Sequence, residues 1–117
     1  MQLPLRIQHL LQTLGDANRL RILHFIGGEH RSVSEIVAAV GLSQPLASHH
    51  LRAMREKGIL ETRREGPFIY YALRDSRLLE ALGFLILVAA EDGDDDSAND
   101  FFPCPAWVRR HITDTEN

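Results

Sequence analysis

The chain has 117 residues, 44% hydrophobic, 25% charged and 7% aromatic, which fits one soluble domain with a small core and excludes a second catalytic domain, a disordered chain or a fibrous one. Its single cysteine excludes an internal disulfide framework and points to a reducing compartment. The net charge of −3 is uneven: residues 1–81 carry a net +3 and residues 82–117 a net −6, and neither figure is extreme enough to name a partner.

Leu3, Ile7, Leu10, Leu11 and Leu14 follow the spacing of an amphipathic helix, with Pro4 at its start and Gly15 at its stop. The N-terminus lacks the basic region and apolar run of a secretory leader, so a cytoplasmic protein is expected. Asp16 can cap a second helix carrying Leu20, Leu23 and Ile26 on one face, ended by Gly27-Gly28. Ser32-Val33-Ser34-Glu35 has the form of a capping box, which predicts a short third helix from Val33 to Val40, stopped by Gly41. Ser43 caps a fourth helix with Pro45 in its first turn, running to Lys57 and ended by Gly58.

The pattern then changes. Two β-prone stretches, Ile59–Arg64 and Phe68–Leu73, flank Glu65-Gly66-Pro67 and predict a hairpin. Asp75 or Ser76 caps a last helix from Arg77 to about Glu91, apolar on nearly every side from Leu78 onward. Its apolar stretch, Ala81–Ala90, is about half the roughly 20 residues a bilayer requires, so it reads as a buried helix and no membrane partner is expected. Residues 92–100 form an acidic run without periodicity.

Two helices joined by the tight turn Val40-Gly41-Leu42-Ser43, with a hairpin following, make a helix-turn-helix with a wing. The predicted fold is therefore mainly α with a β-hairpin wing. When the fourth helix is laid out at about 100° per residue, Gln44, Arg55, Ser48, Arg52, Pro45, Glu56 and His49 share one arc of about 140°. Ala53, Leu46, His50, Met54, Ala47 and Leu51 share the opposite arc, interrupted only by Lys57.

The polar arc carries donors and acceptors suited to base edges and phosphates. An isolated helix with such an arc would be read as a solvated face. Here the arc holds two Arg against one Glu, follows a helix-turn-helix turn, and precedes Arg63 and Arg64 in the hairpin. Those features together point to double-stranded DNA. His50, between Leu46 and Met54, fits a core histidine better than a ligand, and His49 is the one aimed outward. Adjacent Ser48 and His49 point about 100° apart, and no orienting acid is evident, so nucleophilic catalysis is not expected and no enzyme is inferred.

The segments Leu14–Leu23, Gly41–Leu51 and Arg63–Leu73, above all Ser43-Gln44 followed by Ser48-His49-His50-Leu51, resemble the ArsR/SmtB family of winged helix-turn-helix repressors over about residues 3–91. The resemblance implies a homodimer built from the first and last helices, bound to an inverted repeat in a promoter and released by an effector. The surplus apolar surface of Leu3, Ile7, Leu10 and Leu11, and of Leu78, Leu82, Leu85 and Ile86, agrees with dimerisation at those helices.

The family's metal sensors carry a Cys-Val-Cys site whose counterparts here are Ser32, Val33 and Ser34, and a second site whose counterparts are Asp75, Arg77, Val88 and Glu91. Thiolates and histidines are both replaced, so no metal is expected at the family's usual positions. In the tail, Cys104 and His111 stand open to a non-standard metal site, to a redox pairing of Cys104 with its mate, or to plain packing. Phe101, Phe102 and Trp107 either line a small-molecule pocket or pack.

The expected organisation is a DNA-binding and dimerisation domain over residues 1–91 with an acidic linker and tail over 92–117. The expected function is a homodimeric repressor in which Gln44, Ser48 and His49 read bases. Ser43, Pro45, Arg52, Arg55, Arg63 and Arg64 complete the DNA-contacting set, with the serine and arginines on phosphates. The alternatives are a winged-helix module that binds protein, or an activator.

Overall fold

The computed structural model describes residues 2–90; the readings made for the acidic run, Cys104, His111 and the tail aromatics lie outside the described residues. The chain divides into two units, the first ending at Asp75 and the second opening at Ser76.

In the first unit the order is α1 (Leu3–Leu14), α2 (Ala17–Ile26), β1 (Arg31–Ser32), α3 (Val33–Val40), α4 (Gln44–Glu56), β2 (Leu60–Glu65) and β3 (Phe68–Leu73). Each helix begins where the side-chain chemistry starts it. Pro4 sits in the first turn of α1, where its missing amide has no partner to lose. The Asp16 carboxylate accepts the Arg19 amide of α2 at 3.1 Å. Ser32 and Glu35 close a reciprocal capping box on α3, with the Glu35 amide donating to Ser32 Oγ at 3.2 Å. The Ser32 hydroxyl that matches a family metal ligand is thus engaged in capping.

The core is assembled from one face of each of α2, α3 and α4 and closed by the sheet. Ile22, Leu23, Ile26, Ile36, Leu51, Met54 and Leu60 are all fully buried. Each such side chain contributes about 1.5–3 kcal/mol relative to exposure. In contrast, α1 buries only Thr13 and Leu14 and leaves Leu3, Leu5, Ile7, Leu10 and Leu11 exposed.

The sheet is antiparallel in the order β1-β3-β2, with Arg31 opposite Tyr71 and Glu65 opposite Phe68. The strand β1 was not expected from the sequence; two residues are too few to show an alternation, and the edge of β3 recruits them. Glu65 and Phe68 pair across only Gly66 and Pro67. Gly66 has φ of 60° at the first turn position and proline fixes a negative φ at the second, the pattern of a II′ turn, whose twist suits a hairpin.

The second unit, as far as it is described, is α5 (Arg77–Ala90). Leu82 and Gly83 are buried, Leu78 and Ile86 half-buried, and Phe84, Leu85 and Val88 exposed. Leu82 is 4% exposed in a single chain, and Phe84 and Val88 add exposed apolar surface beside Leu85. No described helix is long and apolar enough to cross a membrane.

The turn between α3 and α4 depends on Gly41, which closes α3 in the left-handed region at φ of 71° and donates its amide to the Val37 carbonyl at 3.0 Å. No atom lies within 4 Å of where a Cβ would stand, so substitution adds backbone strain alone. Gly41→Ala should lower the unfolding free energy by about 1–2 kcal/mol in urea titration; unchanged stability would contradict the strained-turn account.

Candidate nucleic-acid interface

The α4 helix is positioned by its cap and by its buried face. The Leu46 amide donates to Ser43 Oγ at 3.4 Å, which uses a lone pair of the hydroxyl and leaves its proton free to donate outward. Ala47, His50, Leu51 and Met54 are buried against the core, while Gln44, Pro45, His49, Arg52 and Arg55 are exposed and Ser48 is half-buried. Among the described residues, the structure thus brings Ser43, Gln44, Pro45, Ser48, His49, Arg52 and Arg55 onto one helix and its cap. Leu46, expected on the covered side, is 40% exposed, because it lies at the edge of the apolar arc, outside the azimuths of the buried Ala47, His50, Leu51 and Met54.

The wing is tied directly to α4. The Gly58 amide donates to the Arg55 carbonyl at 3.0 Å and the Ile59 amide to the Met54 carbonyl at 2.9 Å, so β2 leaves the helix in a fixed direction. Arg63 and Arg64 are both exposed on β2, but on opposite faces. Arg63 Nε lies 3.2 Å from Glu65 Oε1, an exposed pair worth at most about 1 kcal/mol that a phosphate can displace. Arg64 stands opposite Ile69, with no carboxylate beside it among the described residues.

Beneath the exposed arc lies a link that residue types alone did not reveal. Arg19 Nε donates to His50 Nδ1 at 3.0 Å, and Arg19 Nη1 donates to the Thr13 carbonyl at 3.0 Å. One guanidinium of α2 therefore joins the end of α1 to the buried side of α4. As an acceptor, His50 Nδ1 must be unprotonated, and burial accordingly pushes the His50 pKa below its ordinary value near 6.5. The Asp16 carboxylate opposes that shift, while the charges of Arg19 and of neighbouring His49 reinforce it. Arg21 Nη2 donates to the Val40 carbonyl at 2.5 Å, satisfying an orphan carbonyl at the end of α3, just before the turn. Arg31 stacks over Phe25 at 4.7 Å and pairs with Glu35 at 3.4 Å, steadying the start of α3.

Among the described residues no group of three or more His, Cys, Asp or Glu gathers in a way that could hold a metal ion. What the arrangement offers is a rigid helix face of hydrogen-bonding and cationic side chains with a hairpin at its end.

The family model for the arsR family of bacterial regulatory proteins matches residues 16–62. A biofilm growth-associated repressor of Agrobacterium fabrum is 38% identical over 86 residues, covering 71% of this chain and 73% of that protein. The chain belongs to the ArsR family. The nodulation protein NolR of Rhizobium meliloti, another relative, is 33% identical over 84 residues, covering 72% of this chain and 69% of that one.

Among solved structures, a homodimeric winged helix-turn-helix DNA-binding domain from Mycobacterium bovis superposes with a TM-score of 0.68 at 29% identity, covering 74% of this chain and 81% of that one. The transcriptional repressor BigR from Xylella fastidiosa does so at 0.65 with 32% identity, covering 70% and 84%. The fold of this ArsR-family chain is a winged helix-turn-helix, and its family is one of regulators, not enzymes.

Because the folded pKa of His50 lies below its unfolded value, the unfolded chain takes up the proton first as pH falls. Stability should be full above about pH 6.5 and decline as pH drops toward the folded pKa; His24, lowered by burial, adds to the same trend. His50→Gln keeps an acceptor for Arg19 and should reduce this pH dependence. His50→Leu strands the guanidinium and should cost about 1–3 kcal/mol at pH 7.5. Thermal melts of the three proteins from pH 5 to 8 check this, and identical pH profiles would contradict it.

Proposed function

We propose that this ArsR-family protein is a homodimeric transcriptional repressor of the cytoplasm that occupies an inverted-repeat operator and leaves it when an effector binds. The observation that carries the reading is the exposed face of α4, where Gln44, Ser48, His49, Arg52 and Arg55 stand together above a buried His50 locked to Arg19. Gln44, Ser48 and His49 read base edges in the major groove, with Pro45 at the start of the helix alongside them. Ser43, Arg52, Arg55, Arg63 and Arg64 hold phosphates.

The dimer reading rests on the apolar residues that each unit leaves exposed by itself, Leu3, Ile7, Leu10 and Leu11 on α1 and Leu85 on α5. The Mycobacterium bovis relative, described as a homodimeric DNA-binding domain, supports it. Soft-metal sensing at the start of α3 is disfavoured by Ser32 and Ser34, since hydroxyls are poor ligands for such ions and Ser32 already caps the helix.

Replacing Ser48 and His49 together by alanine should remove roughly 10–100-fold of discrimination between the duplex upstream of the gene and a scrambled one, with little change in salt dependence. Replacing Arg63 and Arg64 by glutamine should weaken binding to both duplexes and flatten the dependence on salt by about one to two ions. Anisotropy titrations report both, and a Ser48/His49 variant that still discriminates would contradict the assigned face.

A further inference from the structure

Beyond the arginines assigned to phosphates, the tip of the wing is apolar. Its turn is the two-residue bend Gly66-Pro67, with φ fixed at the proline, and the two residues that follow are Phe68, 58% exposed, and Ile69, 44% exposed. Arg63 and Glu65 neutralise one another at 3.2 Å on the face shared with Phe68 and Tyr70. The Phe68 ring leans on Tyr70, with centroids 6.5 Å apart, which fixes the direction of an otherwise unsupported aromatic side chain. The surplus charge at the tip comes from Arg64, opposite Ile69.

Length supplies the second observation. Six strand residues at about 3.3 Å each carry the tip roughly 20 Å from the end of α4. A duplex turn of about 34 Å places neighbouring groove centres roughly 17 Å apart. The hairpin is anchored to α4 through the Gly58 and Ile59 amides, so its length is sufficient to span from a helix seated in one groove to the next.

Resting on the DNA-binding reading above, we infer that the wing tip is an apolar wedge: Phe68 enters the minor groove beside the major groove held by α4 and bends the duplex, while Arg64 lies in the negative potential of that groove. The minor groove, about 6 Å wide, admits a two-residue turn and a single side chain where it does not admit a helix. Apolar side chains inserted between base steps unstack them and kink the duplex toward the major groove. Arg64 is attracted most where the minor groove is narrow, as in runs of A·T pairs, so the wedge adds a preference for such sequence flanking the part read by α4.

The test is energy transfer between dyes at the two ends of a duplex of about 30 base pairs from the region upstream of the gene, with the full chain as wild type, Phe68→Ala and Phe68→Leu. Wild type should bring the ends together. Phe68→Ala should bind roughly tenfold more weakly with a straighter duplex and an unchanged salt slope, and Phe68→Leu should keep the bend. Because Phe68 is exposed, both variants should melt with wild type. Equal bending and affinity in Phe68→Ala would overturn the proposal. A change in sedimenting mass without a change in bend would overturn it in favour of a protein contact at the tip. Failure of the wild type to bind any duplex would overturn the DNA-binding reading as well, and it would show before any variant is compared.

Discussion

The guanidinium of Arg19 is the joint on which the geometry of the α4 face depends. Its Nε holds His50 on the buried side of α4, its Nη1 holds the Thr13 carbonyl at the end of α1, and its own amide is held by Asp16 at the start of α2. A charged donor to a neutral imidazole and a carbonyl makes hydrogen bonds stronger than neutral pairs, and leaving any partner unmatched in the interior is expensive. One side chain thereby sets the position of α4 relative to the helix that leaves its leucines exposed. Arg19 is thus one route by which a disturbance of α1 would reach α4.

Adjacent histidines on α4 illustrate how position divides labour between identical side chains. His50 is 6% exposed, accepts from Arg19 and is kept neutral by burial; His49, one step around the helix, faces outward with its ring centroid 5.6 Å from that of His50. The buried member secures the helix, and the exposed member is available to a partner. Arg21 plays a comparable part at the other side of the turn, where its bond to the Val40 carbonyl fixes the end of α3 from which α4 departs. Arg63 and Arg64 divide similarly across the two faces of β2, one balanced by Glu65 and one not.

Much of this was legible from residue types because the helix boundaries rest on local chemistry. Asp16, Ser32 and Ser43 cap as their side chains allow, Gly41 stops α3, and Gly66-Pro67 turns the hairpin. The two faces of α4 followed from its periodicity, and His50 fell on the buried one. What was not legible depends on tertiary distance. The bond between Arg19 and His50 joins residues 31 positions apart, β1 exists only because β3 offers an edge, and Leu46 is exposed because the core covers only part of the apolar arc of α4.

The account stands or falls on sequence-specific recognition of a duplex by the face of α4. Its most direct measurement is an anisotropy titration of the reduced, full-length protein with the duplex upstream of its gene and with a scrambled duplex, repeated across a series of salt concentrations. The account predicts affinity for the upstream duplex at least about a thousandfold tighter than for the scrambled one, with the logarithm of each falling linearly with the logarithm of salt. Equal affinity for the two duplexes, or binding that ignores salt, would contradict it.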